Sequence, residues 1–300
     1  MTALASHPRD TAPAERGRGF SHVFAHACVA LLAAAGVAAL YYLCVRTGLG
    51  QRIDTDAMRG ADVDHPRAVE VMQRALNGTT LVSLIAVCVA AAAIGFVRRR
   101  ADLAIAAAVL VLGANATTRV LKTYLVRPDL DGTSMPNSFP SGHTTAAASV
   151  AFALILTLPF AVRGTVAVIG AAYTTIIAVA TVWAEWHRPS DTMAALLVVL
   201  AWGALASTIV RLGRVRITGV TARPNRYVML LFAIGGTLSL VVAAAGLAVI
   251  TLGDRLSPEL TGGRVSFATG IAAVTTVVAG TFAIWVRLAA GDRPSPLQSS

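Results

Sequence analysis

Residues 138–162 read SFPSGHTTAAASVAFALILTLPFAV, a short polar head followed by a run without one charged residue through Val162. A surface helix of a soluble protein would show a charged stripe on one face. A bilayer core of ~30 Å instead asks for about 20 apolar residues in succession. Outward from this stretch the pattern recurs. Apolar blocks fall at about 22–46, 77–97, 102–124, 142–162, 165–186, 190–210, 227–250 and 265–288. They predict an all-α polytopic membrane helix bundle of about eight transmembrane helices. Arg98 to Arg100 and Val162-Arg163-Gly164 read as tight turns, whereas 47–76 and 125–141 read as long polar loops.

Composition agrees. The 300 residues are 56% hydrophobic and 13% charged, where a soluble domain carries about 25% charged residues. The net charge of +10 is explained by topology, because loops on the cytoplasmic side collect arginine and lysine. With the N-terminus inside, one face holds Arg9, Arg16, Arg18, Arg98 to Arg100, Arg163, Arg211, Arg214, Arg216, Arg223, Arg226, Arg287 and Arg293. Only Asp10, Glu15, Asp102 and Asp292 oppose them, so the whole excess lies on that side. No nucleic-acid partner is needed to account for it. Cys28, Cys44 and Cys88 sit in apolar blocks without metal-ligand spacing, so neither a disulfide framework nor a zinc site is expected. The first block is too long for the apolar region of a signal peptide and reads as a retained span.

This orientation brings 119–143 and 185–191 together on the extracytoplasmic face. Lys122 is the single lysine beside 24 arginines, a compact charge suited to a phosphate oxygen. Pro140, Ser141 and Gly142 precede a helix start whose free N–H groups form an anion site, with His143 in the first turn. His187 and Asp191 are four residues apart at another helix start, within reach for a carboxylate to orient an imidazole. Each alone has a plainer reading, as a snorkelling cation, a capping histidine or a structural His–Asp cap. Their convergence on one face is what capping does not explain.

Lys122-x4-Arg127-Pro128, Pro140-Ser141-Gly142-His143 and His187-x3-Asp191 together resemble the type 2 phosphatidic-acid phosphatase superfamily. The resemblance spans 119–191 directly, and the six-helix phosphatase core of that family fits spans 1–6. The chain then divides into a tail (1–21), the core (22–212), a basic loop (213–226), two accessory helices (227–288) and a second tail (289–300). The resemblance implies metal-independent hydrolysis of a lipid phosphate or diphosphate through a phosphohistidine. His187 would be the nucleophile, Asp191 its orienting carboxylate, and His143 the general acid and then base. Lys122, Arg127, Ser141 and Gly142 would bind the phosphoryl oxygens. No cofactor or metal is expected; the partners would be a lipid phosphate, membrane lipids and, possible for any bundle, a second copy of the chain.

Two positions depart from the family pattern. Asp129 stands where the first motif usually has arginine, and Ala180-Thr181 replaces the Ser-Arg that usually opens the third. Arg188 or Arg119 would supply the missing charge. Phosphotransfer to another acceptor, or lipid-phosphate binding without turnover, are the alternatives. Alanine and arginine richness fits a GC-rich bacterial genome and a cell-envelope lipid. Elsewhere Asp54, Asp56, Asp62, Asp64 and His65 lack the spacing of a calcium loop and read as solvated. Val69, Met72 and Leu76 suggest an interfacial helix. His22 and His26 read as headgroup-level residues, and the last two spans as packing or dimerisation elements.

Overall fold

The computed structural model describes residues 12–61, 70, 74, 89, 93, 100–133, 135–212, 224–253 and 263–289. The span expected at 77–97 and the interfacial helix expected after Pro66 lie outside the described residues, apart from isolated positions. Among the described residues the structure is all helical. Helix α1 (Ala12–Leu40) continues into a π-helical turn (Tyr41–Val45) and is followed by α2 (Gly48–Arg59). Then come α3 (Ala101–Tyr124), α4 (Gly142–Thr157), α5 (Phe160–Trp183), α6 (Pro189–Leu212), α7 (Arg226–Gly253) and α8 (Gly263–Ala289). Among the described residues six segments, 23–45, α3, α5, the first part of α6, α7 and α8, are long and apolar enough to cross a membrane. The chain is a multi-pass membrane protein.

Helix α4 is shorter than expected for 142–162. At 1.5 Å per residue its 16 residues reach about 24 Å, less than a bilayer core. It needs no lipid-matched length because it is the inner helix of the bundle, packed on α3, α5 and α6 and buried along most of its surface. The turn after it forms at Leu158-Pro159, not at 162–164. Proline disfavours helical geometry in the residue before it, and Leu158 is extended. Arg163, assigned to a loop by its sequence, therefore lies buried inside α5. Its guanidinium donates to the carbonyls of Leu156 (3.0 Å), Leu158 (3.0 Å) and Ala289 (2.6 Å). Those groups end α4 and α8, where helices leave carbonyls unpaired and favour a cation.

The core is built from close small residues and a few aromatics. Phe152 of α4 stacks on Trp285 of α8 at 4.9 Å and meets Phe282 edge-on at 5.0 Å. The Trp285 indole N–H donates to the Phe152 carbonyl. At Gly113 a methyl would stand 2.5 Å from the Trp202 ring, so glycine sets the spacing of α3 and α6. Helix α7 is at the margin, with Leu230, Leu231, Ile234 and Leu238 exposed in the way lipid contact requires. His26 is buried at 2% exposure.

The segment from Gly48 is not a solvated loop. Thr47 caps α2 by accepting from the Gly50 N–H, and Gln51, Asp54, Thr55 and Met58 share its buried face. These residues lie three and four apart, the helical spacing of one face. The helix docks on the same end of the bundle as the polar motifs.

Candidate active site

Three stretches meet at that end: the end of α3 with the loop after it, the start of α4, and the α5–α6 connection. Ser141 is the N-cap of α4, its Oγ accepting from the Thr144 N–H. Its own N–H donates to the Asp191 carbonyl at 2.9 Å, which ties the second motif directly to the third. The Phe139–Pro140 peptide is cis. Asn137 latches the loop to the end of α3 by donating to the carbonyls of Lys122 and Leu125. Deeper down, Thr118 and Thr145 share a 2.9 Å hydrogen bond and Asn115 donates to Ser149, so α3 and α4 stay in register.

His187 hangs from a tight turn. The Thr181 carbonyl accepts from both the Trp186 and the His187 N–H, and Glu185 adopts the left-handed region at φ 57°. His187 is 4% exposed and its Nδ1 lies 3.4 Å from Asp191 Oδ2. That contact turns Nε2 away from the carboxylate. The His143 ring faces it edge-on at 6.5 Å between centroids, and Trp186 flanks His143 at 5.6 Å.

Asp191 is fully buried and collects four donors. Ser138 Oγ donates at 2.5 Å, the Arg188 N–H at 3.0 Å, and Arg127 Nη2 pairs with Oδ1 at 3.2 Å, beside the His187 contact. The bond from Arg188 N–H is one half of a capping box, the acidic third residue of a helix reaching back to its N-cap. Pro189 opens α6, where proline loses no helical hydrogen bond. Burial of a charged pair is stable only when the remaining donors and acceptors are met. Arg127 departs from that rule: its Nε and Nη1 are buried and meet no acceptor among the described residues. Two unpartnered guanidinium nitrogens beside a paired imidazole suit an oxyanion.

Gly142 is open: a methyl built there meets nothing within 4 Å. Lys122 is exposed on the last turn of α3, within electrostatic reach of His143. His187, Asp191, His143, Ser141, Gly142, Arg127 and Lys122 therefore come together. Arg188 and Arg119 do not join them in the way expected. Arg188 is buried with Nε donating to Thr55 Oγ1 (2.9 Å) and Nη2 4.0 Å from Asp131. Arg119 is exposed on α3, with no hydrogen bond or ion pair to these groups among the described residues. Thr181 is fully buried, its hydroxyl donating to the Ala178 carbonyl.

Sequence reasoning missed a ring of supporting residues. Gln51 donates to the carbonyls of Val45 and Pro128 and accepts from the Leu130 N–H, fixing the loop that carries Arg127. Thr55 donates to Asp131 at 2.6 Å. Against its partial burial, the hydrogen bonds from Thr55 and Thr133 and the nearby Arg188 charge hold the Asp131 carboxyl below its usual range. Asp54 accepts from both the N–H and the hydroxyl of Ser190. The helical spacing of Gln51, Asp54, Thr55 and Met58 was the signal available for them.

A membrane helix bundle with two facing histidines, one paired to a buried carboxylate and the other at a capped helix start, is a polytopic protein with a histidine-centred polar site. Residues 102–214 match the model of the PAP2 superfamily, a superfamily of phosphatases, and the match supports membership in it. All nine sequence-predicted site residues fall inside the match. No curated protein and no solved structure matches the chain.

Proposed function

We propose that the protein hydrolyses a lipid phosphate or diphosphate at the extracytoplasmic face of the cell membrane through a phosphohistidine. The observation that carries the reading is the pairing of His187 with a fully buried Asp191 opposite His143, beside the two free donors of Arg127. Asp191 holds the Nδ1 proton of His187, which leaves the Nε2 lone pair to attack phosphorus. The P–O bond to the lipid breaks, and His143 gives its proton to the departing alkoxide, or to the departing lipid monophosphate when the substrate is a diphosphate. His143 then takes a proton from water, whose oxygen displaces His187 and releases inorganic phosphate. Arg127, Lys122 and the N–H groups at the start of α4 neutralise charge on the equatorial oxygens, where electrostatic stabilisation of phosphoryl transfer acts. The concentration of basic residues at the opposite end supports the extracytoplasmic placement of the site. A substrate of lipid character suits a site at the rim of an apolar bundle.

The test is phosphate release by detergent-purified protein from a panel of lipid phosphates and diphosphates, with EDTA present. Release that persists in EDTA is the expected result. Release that requires a divalent metal, or transfer of phosphate only to a second lipid, overturns hydrolysis as proposed. Gly142→Ala sharpens the assignment of the anion site. The methyl meets no protein atom and alanine is favoured in a helix by up to ~1 kcal/mol, so the thermal midpoint holds or rises. It stands where the phosphoryl group would approach, so kcat/KM falls about tenfold or more. Unchanged kcat/KM in that variant would remove the phosphate from the start of α4.

A further inference from the structure

Helix α6 carries Asp191 in its first turn, yet its own N-cap residue is an arginine, a side chain with no acceptor. The acceptor is supplied by another element. Asp54, on α2 and 136 positions earlier in the chain, accepts the Ser190 N–H on Oδ1 at 3.0 Å and the Ser190 hydroxyl on Oδ2 at 2.5 Å. Its neighbours on α2 complete a clamp: Gln51 holds the Pro128–Leu130 loop, and Thr55 bridges Asp131 to Arg188. One face of one short helix therefore touches both the loop bearing Arg127 and the turn bearing His187. Gly270 of α8 lies close enough to α6 and α2 that an added methyl would stand 2.7 Å from Pro189 and 3.1 Å from Ala57 of α2. The start of α6 is packed against both α2 and α8.

We infer that Asp54 is a positioning residue of the phosphatase site, capping α6 from outside so that Asp191 and His187 are held in line with the phosphoryl group. This rests on the function proposed above and extends it to a segment outside residues 102–214. Asp54 does not touch substrate; it acts through Ser190 and Asp191.

The proton inventory supports the assignment. Asp54 faces Asp191 and Arg188 at the start of α6, Arg127 from the following loop of α3, and Cys44 from the π-helical turn. Two buried carboxylates cannot both ionise cheaply. Asp191 has Arg127 and three further donors, so it keeps the charge, whereas burial and then the Asp191 charge push Asp54 up from 3.8 to about 7. A protonated Asp54 still accepts the Ser190 N–H and donates its own proton to the Ser190 hydroxyl. When it ionises, it competes with Asp191 for Arg127. The folded protein holds the extra proton between pH 3.8 and about 7, so this group's contribution to stability falls as pH rises through that window.

The experiment compares wild type with Asp54→Ala, Asp54→Asn, Ser190→Ala and His187→Ala, measuring kcat, KM, pH profile and thermal midpoint. Asp54→Ala lowers kcat by about 100-fold, the scale of a misplaced reacting group, with KM within about twofold. Asp54→Asn, which preserves both hydrogen bonds as the neutral form does, recovers kcat to within about tenfold of wild type and loses the alkaline limb near pH 7. Ser190→Ala, a smaller change that keeps the N–H bond, falls between them. Wild-type kcat in Asp54→Ala, or equal losses of kcat and midpoint in both Asp54 variants, overturns the inference while an inactive His187→Ala leaves the phosphatase reading standing. An unchanged pH profile in Asp54→Asn overturns it as well. A wild type that releases no phosphate from any lipid removes both.

Discussion

His187→Ala abolishes phosphate release, with a loss of about 10⁴-fold or more, because removing a covalent nucleophile removes the reaction path and not one contact along it. The structure makes the loss specific. His187 is held by the Thr181 carbonyl through its N–H and by Asp191 through its ring, and the His143 ring stands 6.5 Å away between centroids. Alanine keeps the backbone bond, so the turn and the fold survive while the chemistry does not. The check is radiolabelled phosphate from a labelled lipid, quenched at high pH where phosphohistidine persists. Label appears on wild type, accumulates in His143→Ala because the second step lacks its base, and is missing from His187→Ala. Label retained by His187→Ala would assign the nucleophile elsewhere.

Asp191→Ala acts on activity and stability together. Its carboxylate accepts from Arg127, Ser138, the Arg188 N–H and His187, all inside the protein. Without it the imidazole loses both its tautomer and its orientation, a change that costs about 10⁴-fold in kcat in a comparable triad. Arg127, already short of partners, loses its ion-pair partner, and breaking a buried pair costs about 3–5 kcal/mol. The double variant Asp191→Ala/Arg127→Met removes both charges. It regains much of the thermal midpoint lost by Asp191→Ala but none of the kcat. Recovery of activity in the double variant would mean that Arg127, and not His187, is what Asp191 serves.

Arg188 shows how adjacency in sequence misleads. Its place next to His187 made it the natural substitute for the missing third-motif cation. At the start of α6 its buried side chain reaches Thr55 and Asp131, where it fastens α2. Charge at a site depends on where a side chain leaves the helix start, and one residue changes that direction by about 100°. Arg127 was legible because its motif carried it, but the burial of two unpaired guanidinium nitrogens appears only once α2, α6 and the loop close around it. The stretches read as solvated or turn-like, 47–76 in its described part and 162–164, were misread for one reason: polar residues were taken to face water. Asp54 and Arg163 are polar and buried because backbone groups at helix ends needed them, and Thr55 because it bridges Asp131 to Arg188.

The sequence alone was sufficient for the membrane class, the helical architecture and the convergence of the two histidines and Asp191. Those follow from properties that are local or one-dimensional: the length of apolar runs against bilayer thickness, the capping chemistry of single helix starts, and the parity of crossings that returns His143 and His187 to one face. Only the tertiary structure decided that α4 is an inner helix too short to need lipid, that α2 belongs to the site, and that a carboxylate 136 positions away caps the helix bearing Asp191. Partners of that kind are chosen by packing, since a buried donor or acceptor takes whichever group the fold brings within 3 Å, wherever it lies along the chain.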